Sequence, residues 1–365
     1  MQKTYYPSLN GLRAISIIMV VLYHLQKRNG IFDAYSKKIW LAPFISFIRD
    51  GQLGVNIFFV ISGFLITSLL INEEKETGKI SIKSFYIRRI IRIFPAYYFL
   101  LAIYLVLQFF NLIEISRTSW LTAITYTKYF IIPKDWLTAH IWSLSVEEHF
   151  YLFWPTTFIL GSKQRKQFAI ALFLVVPLIR TYIHFYPVTW INDLTIFLRI
   201  DAIATGCLFA LYQKQIVKLF QRHWTVIFYF AVIGLFFLRY FPKIGRLLHL
   251  EFIFIPLESA TIGTLGNIFV SVILIYSVFG PQKLWFKLLN HGILNHIGIL
   301  SYSIYLWQQL FINNTPYWFN SIPYNLGYLI IVSHASYYFI EKPFLKLKTR
   351  YSKLESQTTI TTNTI

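Results

Sequence analysis

The chain contains little charge and almost no cysteine. Only 13% of its 365 residues are charged, whereas soluble domains carry about 25%, and 56% are hydrophobic. A soluble core could not hide so much apolar surface, so the sequence predicts a polytopic membrane protein. The single cysteine, Cys207, excludes an intrachain disulfide and a cysteine metal site. We expect no metal centre, and no cleavable signal, because the first apolar segment carries Arg13 and lacks a small-residue cleavage pattern.

Ten apolar runs come close to the roughly 20 residues that cross a bilayer as a helix. They lack the alternation of polar and apolar residues that marks barrel strands, so we predict an all-α, polytopic transmembrane bundle of about ten spans. The predicted spans are 11–26, 52–71, 94–113, 141–160, 168–186, 194–212, 223–241, 258–279, 295–313 and 323–341. A shorter apolar stretch, 247–255, is predicted to be re-entrant or interfacial.

The net charge of +19 is explained by basic cytoplasmic loops, so nucleic acid is not an expected partner. If the amino terminus is cytoplasmic, the inner segments carry about twice as many Lys and Arg residues as the outer loops. This bias predicts both termini inside. We expect one transmembrane domain over 1–345, with no soluble domain after it, and a basic, then Ser/Thr-rich, disordered cytoplasmic tail over 346–365.

Two ionisable residues lie on one stripe of the first span. Arg13 and His24 are eleven positions apart, which places them within roughly 20° of one helix face and about 16 Å apart along the axis. A charged side chain in a bilayer is costly unless it faces a partner or a wet cavity, so both are functional candidates. The alternative is that Arg13 anchors the helix at the headgroups and His24 is an interface histidine.

Three arginines, Arg88, Arg89 and Arg92, are concentrated where the third span is entered from inside. Residues three and four apart share a helix face, and guanidinium groups offer forked donors to phosphate. The segment therefore predicts a phosphate clamp. A positive-inside anchor for lipid headgroups remains the alternative.

The fourth span carries two adjacent carboxylates, Glu147 and Glu148, which point about 100° apart on a helix. We expect Glu147 to lie at the depth of His24 and to fix its imidazole tautomer. The alternative is a stabilising pair with Arg199 or with an outer lysine. Arg199 and Asp201 place further charges in the outer half of the bundle, where they either contact a substrate or form a structural pair.

Several stretches, in register along nearly the whole chain, resemble the acyltransferase-3 family of membrane acyltransferases. They are Leu9-Asn-Gly-Leu-Arg-Ala with His24 beyond it, Gly54-Val-x-x-Phe-Phe-x-x-Ser-Gly-Phe, Arg89-x-x-Arg, Trp142-Ser-Leu-Ser-Val-Glu-Glu, Ser301-Tyr-Ser-Ile-Tyr-Leu-Trp and Glu341-Lys-Pro-Phe.

The resemblance implies a bundle of about ten helices that moves an acyl group, commonly acetyl from acetyl-CoA, to a hydroxyl of a surface carbohydrate. The likeness is to O-antigen and exopolysaccharide O-acetyltransferases without a fused SGNH domain. By position, His24 corresponds to the essential histidine, Arg13 to its motif partner, and Arg89 and Arg92 to the second arginine motif. The sequence departs from the family at Gln308, where many members have His.

We therefore expect acyl-CoA to bind with its phosphates at Arg88, Arg89 and Arg92 and its pantetheine arm passing Arg13. His24, oriented by Glu147, would act as general base on the acceptor hydroxyl. A covalent acyl-histidine is left open.

The acceptor would be held by Glu148, Arg199 and Asp201, and it would be a carbohydrate or a lipid-linked sugar. Membrane lipids are the other expected partners, a homo-oligomer is left open, and the expected location is a bacterial inner membrane. The alternative function is a transporter or flippase of a sugar or lipid intermediate, with the buried charges as a proton relay.

Overall fold

The computed structural model describes residue 6 and residues 8–33, 41–128, 135–186, 198–247, 249, 263–313 and 321–347. This part of the chain is helical and contains no strand. Its helices are α1 (Leu9–Asn29), α2 (Ala42–Ile48), α3 (Gly51–Thr77), α4 (Ile82–Phe109), α5 (Arg117–Ile124), α6 (Trp136–Ala139), α7 (Trp142–Phe153), α8 (Thr156–Ile159), α9 (Ser162–Phe185), α10 (Ile200–Leu211), α11 (Gln213–Phe220), α12 (Trp224–Leu247), α13 (Gly263–Phe279), α14 (Leu284–Leu289), α15 (Gly292–Phe311) and α16 (Tyr324–Ala335), which a π-helical turn (Ser336–Glu341) continues.

Each of the ten predicted apolar segments overlaps a helix of the structure. Within the described residues, four helices are long and apolar enough to cross a membrane, namely α1, α3, α4 and most of α9. A fifth crossing results if α11 and the first part of α12, which are bent by 104°, form one broken span. Two shorter helices, α10 and α13, are also apolar. The total of ten spans and the side of each terminus stay predictions.

Helix α4 extends beyond the predicted span 94–113, because it begins at Ile82. Ser81 caps the helix by accepting a hydrogen bond from the backbone N–H of Ser84, so the arginine-rich segment forms the first turns of the same helix. The predicted re-entrant stretch 247–255 and the tail 346–365 lie almost wholly outside the described residues.

Helix α1 packs against both α15 and α3. Its carboxyl end is closed by Gly30, which adopts the left-handed conformation with φ of 61° and donates its N–H to the carbonyl of Gln26. The amino terminus of α3 is closed by Asp50, whose side chain accepts from the N–H groups of Gln52 and Leu53. Because α1 lies between these two helices, its polar residues can meet partners from both.

Helices α3 and α10 form the most extensive helix pair of the described residues. Gly63 of α3 lies against the carbonyl of Ile203, and Gly206 of α10 lies against the carbonyl of Val60. A Cβ at either glycine would collide with backbone of the other helix, so the close approach requires both. This contact gives the bundle a tightly packed centre beside the polar residues of α1.

Candidate active site

At the carboxyl end of α1, His24 faces into the bundle, where its partner is on α15. The Nδ1 atom of His24 lies 3.0 Å from Oε1 of Gln308. The imidazole also meets the ring of Trp136 edge-on, with ring centroids 5.3 Å apart, and Trp136 is fixed by a hydrogen bond from its Nε1 to the carbonyl of Ile312. His24 is half-buried.

Gln308 is fully buried and is held in place from within α15. Its Nε2 atom donates to the carbonyl of Tyr305 at 3.2 Å, while Oε1 points to His24. The sequence singled out Gln308 only as a departure from the family pattern. The structure makes it the hydrogen-bonding partner of His24.

One turn into α1, Arg13 lies in a second polar cluster with residues of three other elements. Glu341 and Glu147 attract it electrostatically, and Arg89 repels it. Arg92 is within range of Arg13, Arg89 and Glu341. We call Arg13, Arg89, Arg92, Glu147 and Glu341 the arginine cluster. The structure thus brings together two arginine motifs that lie far apart in the sequence.

Arg13, Arg92 and Glu147 are each half-buried. The guanidinium of Arg89 lies 4.1 Å from the ring centroid of Tyr151, a cation–π contact that fixes one face of the group.

Glu147 belongs to the arginine cluster and not to His24. Its Oε1 accepts a hydrogen bond from Oγ of Ser62 at 2.9 Å, and the arginines act on it electrostatically. This arrangement corrects the predicted pairing of Glu147 with His24. The physical reason is depth: Ser62 is near the middle of α3, and the cluster lies at the Arg13 end of α1, roughly 16 Å along the helix from His24.

Glu148 points away from Glu147, as adjacent positions on a helix require. Its Oε1 is buried and has no hydrogen-bond partner among the described residues, and Arg89 is its main electrostatic neighbour. Tyr126 also lies within its range. Glu148 therefore faces the interior near the arginine cluster. Neither Arg199 nor Asp201 is among its electrostatic neighbours, so the structure does not bring the three predicted acceptor residues together.

Glu341 also belongs to the arginine cluster, although the sequence pattern indicated no function for it. It is buried at the end of the π-helical turn, and Oγ of Ser303 on α15 donates to its Oε1. Short π-helical segments often occur at functional sites. The signal was present in the sequence, because an ionisable residue within the last apolar segment is a functional candidate by the same reasoning that selected Arg13.

Arg88 has a different environment from Arg89 and Arg92. It forms an ion pair with Glu73 of α3, with 2.7 Å between Nη2 and Oε2. The other oxygen of Glu73 accepts from the backbone N–H of Ser81, which caps α4. The contacts of Arg88 thus fasten α3 to α4, and its place in the phosphate clamp stays a prediction.

Asp201 is completely enclosed by protein partners. Its Oδ1 forms an ion pair with Arg180 at 2.9 Å, and its Oδ2 accepts from Thr264 and Asn267 at 2.8 and 3.2 Å. Both oxygens are therefore in use and only 1% of the residue is exposed, which corrects its predicted contact with an acceptor.

Arg199 remains half-buried next to aromatic residues. Its guanidinium lies 6.0 Å from the ring of Trp142, and Tyr23 and Asp50 lie within its electrostatic range. Tyr23 in turn packs edge-on against His24, with ring centroids 5.3 Å apart. Arg199 keeps accessible surface, whereas Asp201, the other predicted acceptor residue of this segment, does not.

His140 is a further buried histidine close to His24 that the sequence did not single out. Its Nδ1 lies 2.7 Å from Oε1 of Gln309 and its Nε2 lies 3.1 Å from the carbonyl of Leu306. Its own carbonyl accepts from the hydroxyl of Tyr305 at 2.6 Å. These bonds fasten the segment before α7 to α15, through residues on either side of Gln308 in the sequence.

Among the residues described, no group of three or more His, Cys, Asp or Glu side chains is arranged to hold a metal ion. The ionisable groups at the two ends of α1 are an imidazole, guanidinium groups and carboxylates.

A family model described as an acyltransferase domain matches residues 6–340. A protein of Staphylococcus aureus strain COL that has a provisional name as an O-acetyltransferase is 32% identical over 378 residues, covering 94% of this chain and 58% of that protein. The O-acetyltransferase OatA of Staphylococcus aureus strain NCTC 8325 is 30% identical over 377 residues, covering 94% of this chain and 57% of OatA. The chain thus spans somewhat more than half the length of these relatives. No solved structure matches it.

Proposed function

Because the chain belongs to the acyltransferase-3 family, we propose that it is a membrane-bound O-acyltransferase that uses cytoplasmic acyl-CoA, with acetyl-CoA as the simplest donor. The acceptor is a hydroxyl of a cell-envelope carbohydrate or lipid-linked sugar, and the protein crosses the bacterial inner membrane several times. The names of the relatives support an acetyl group and an oxygen acceptor.

The observation that supports this proposal best is the arrangement of two polar sites along α1. The arginine cluster surrounds Arg13 near the amino end of the helix, and His24 lies near its carboxyl end, roughly 16 Å away. An extended pantetheine arm has the reach to join the two sites. The anionic part of a donor at the first site could thus present its thioester at the second.

The arginine cluster supplies the donor site. Guanidinium groups bind phosphate through charge-assisted, forked hydrogen bonds, and Arg13, Arg89 and Arg92 bring three of them together. Glu147 and Glu341 hold these cations in place when the donor is absent. Arg88, which forms an ion pair with Glu73, stays a predicted member of the clamp.

His24 acts as the general base. Its imidazole takes the proton of the acceptor hydroxyl while the hydroxyl oxygen attacks the thioester carbonyl carbon, and a new C–O bond forms. The C–S bond then breaks, and the CoA sulfur leaves with the proton that His24 returns. General-base catalysis of this kind contributes about 10²- to 10⁴-fold to a rate. A route through an acyl-histidine would use the same residue.

Arg199 and the aromatic residues near it, Trp142 and Tyr23, form the acceptor side of the site. Aromatic rings and a guanidinium can hold a sugar ring by stacking and by hydrogen bonds to its hydroxyl groups. Arg199 lies within electrostatic range of Tyr23, whose ring packs against His24, and this link supports an acceptor that approaches from the outer end of the bundle.

The direct test compares envelope glycans from cells with and without the protein by mass spectrometry. We expect an acyl mass increment that depends on the protein and disappears in the His24→Ala variant. The matched control is His223→Ala, because His223 is exposed in the turn between α11 and α12. Both variants must reach the membrane in the amount of the parent protein.

Parental acylation by His24→Ala would overturn the base assignment. An envelope without any protein-dependent acyl increment would overturn the proposed reaction, and it would leave a transporter as the better account of the buried charges.

A further inference from the structure

Gln308 lies between two atoms that together determine which way its amide faces. The carbonyl oxygen and the NH₂ group of a glutamine look alike in most structures, so the orientation has to be derived from the hydrogen bonds. One end of this amide faces the carbonyl oxygen of Tyr305 at 3.2 Å, which can only accept. The NH₂ group must therefore face Tyr305, and the carbonyl oxygen Oε1 must face His24.

This orientation determines the protonation of His24. Since Oε1 of Gln308 can only accept, Nδ1 of His24 at 3.0 Å must carry a proton. A neutral imidazole has a single ring proton, so Nε2 then carries a lone pair. We propose that Gln308 is a positioning residue that fixes His24 as the Nδ1–H tautomer and leaves Nε2 free to take a proton from the acceptor. The proposal deepens the proposed function and, for its kinetic test, rests on it.

A neutral amide suits this task better than the carboxylate that the sequence suggested. Among the described residues, the charged side chains that act on His24 are Lys27 and Arg28 of α1, and the neighbouring imidazole is that of His140. A carboxylate at this place would hold the imidazolium form after each proton transfer. Gln308 orients the ring and places no negative charge beside it.

The burial of Gln308 holds its amide in one orientation toward His24. The side chain is fully buried, and Tyr305, which orients it, also contacts Ser143 and the backbone of His140 through its hydroxyl. Trp136 meets the imidazole edge-on, and its own Nε1 is fixed by the carbonyl of Ile312. The ring and its acceptor are thus supported by contacts on both sides.

The tautomer can be read directly and without any substrate. Protein labelled with ¹⁵N-histidine is purified in detergent, and the signals of His24 are identified as those absent from the His24→Ala variant. We expect the proton on Nδ1 in the parent protein and a shift toward the Nε2–H form in Gln308→Met, which keeps the size of the side chain and removes the acceptor. A proton on Nε2 in the parent, or the same tautomer in Gln308→Met, would overturn the proposal.

Gln309→Met is the matched comparison variant. Gln309 is the next residue of α15 and equally buried, but its partner is His140. We expect this substitution to leave the tautomer of His24 unchanged. An equal effect of both substitutions would assign the result to disturbed packing of α15 and would contradict a specific role for Gln308.

The kinetic test uses acyl transfer from acetyl-CoA as a function of pH. In Gln308→Met we expect the turnover number to fall about 10²-fold with little change in the KM for acetyl-CoA, because the donor site is at the other end of α1. Gln308→Glu keeps an acceptor atom and adds a charge that favours the imidazolium. It should retain activity and move the acidic limb of its pH–rate profile upward by about one pH unit or more.

The possible failures can be told apart. If the parent transfers acyl groups, His24→Ala does not, and both Gln308 variants keep the parental rate and profile, then only the role of Gln308 is wrong. If the parent transfers no acyl group, the proposed function is wrong, and the ¹⁵N measurement still decides the tautomer. Should Gln308→Met fail to accumulate, Gln308→Glu tests the proposal by its pH–rate profile alone.

Discussion

The position of Arg13 in the sequence is compatible with two roles, a lipid-headgroup anchor or a residue inside the bundle, and its neighbours in the structure distinguish them. As a headgroup anchor it would face lipid phosphates at the membrane surface. In the structure it lies inside the bundle, where Glu147 and Glu341 attract it and Arg89 repels it. Holding like charges together in a bilayer is costly unless they have a partner, and Glu147 and Glu341 supply part of that compensation.

Donor binding is the first property to measure in variants of this cluster. We expect Arg89→Gln and Arg92→Gln each to weaken acetyl-CoA binding in detergent at least about tenfold, because each removes a charge-assisted hydrogen bond. Lys83→Gln is the control, since Lys83 is exposed in the first turn of the same helix. An affinity that stays unchanged in both arginine variants would mean that these arginines serve only as counterions of Glu147 and Glu341.

At the scale of helices, the pair α3–α10 shows what close packing requires of the sequence. Gly63 and Gly206 each contact a backbone carbonyl of the opposite helix, and the thiol of Cys207 lies 3.5 Å from the carbonyl oxygen of Gly63. Small residues at such contacts let the backbones approach each other closely. The contact is adjacent to Ser62, so it also determines where the partner of Glu147 stands.

Substitutions at this contact should separate the two helices. We expect Gly63→Ala and Gly206→Ala each to cost about 1–3 kcal/mol of stability, because the added Cβ meets backbone atoms that cannot rotate away. The measurement is thermal unfolding followed by a thiol-reactive dye, which reports when the buried Cys207 becomes accessible.

Gly327→Ala is the matched control for the helix pair. A Cβ at Gly327 meets nothing within 4 Å, and alanine is the better helix former, so this substitution should leave the melting temperature unchanged or raise it. If all three variants melted at the parental temperature, the helices would not be packed through their glycines.

For the molecule as a whole, hydropathy predicted where helices lie but not how they are turned. The ten apolar segments all overlap helices, since the length and apolar character of a run carry that information. The partner of His24 could not be found in this way, because Gln308 is 284 positions away and only the rotation of α15 against α1 brings it close. The depth of Glu147 was misjudged for the same reason, because the packing of α7 against Ser62 decides it.

Membrane topology can be tested by labelling introduced cysteines, because the sequence contains a single native cysteine. Cys207 is fully buried, so an impermeant maleimide should leave the parent protein unlabelled in intact cells. Lys79→Cys and Glu114→Cys place exposed thiols at opposite ends of α4. We expect Glu114→Cys to react in intact cells and Lys79→Cys only after permeabilisation, and the reverse would overturn the predicted orientation.

The position of Glu341 links activity to the order in which the chain is made. This carboxylate reaches the arginines only through the π-helical turn that follows α16, whereas Arg13 enters the membrane with the first helix. A nascent chain released before that turn would therefore carry positive charges in the bilayer that lack part of their compensation. Chains that are truncated during synthesis should therefore assemble poorly and be degraded by membrane proteases.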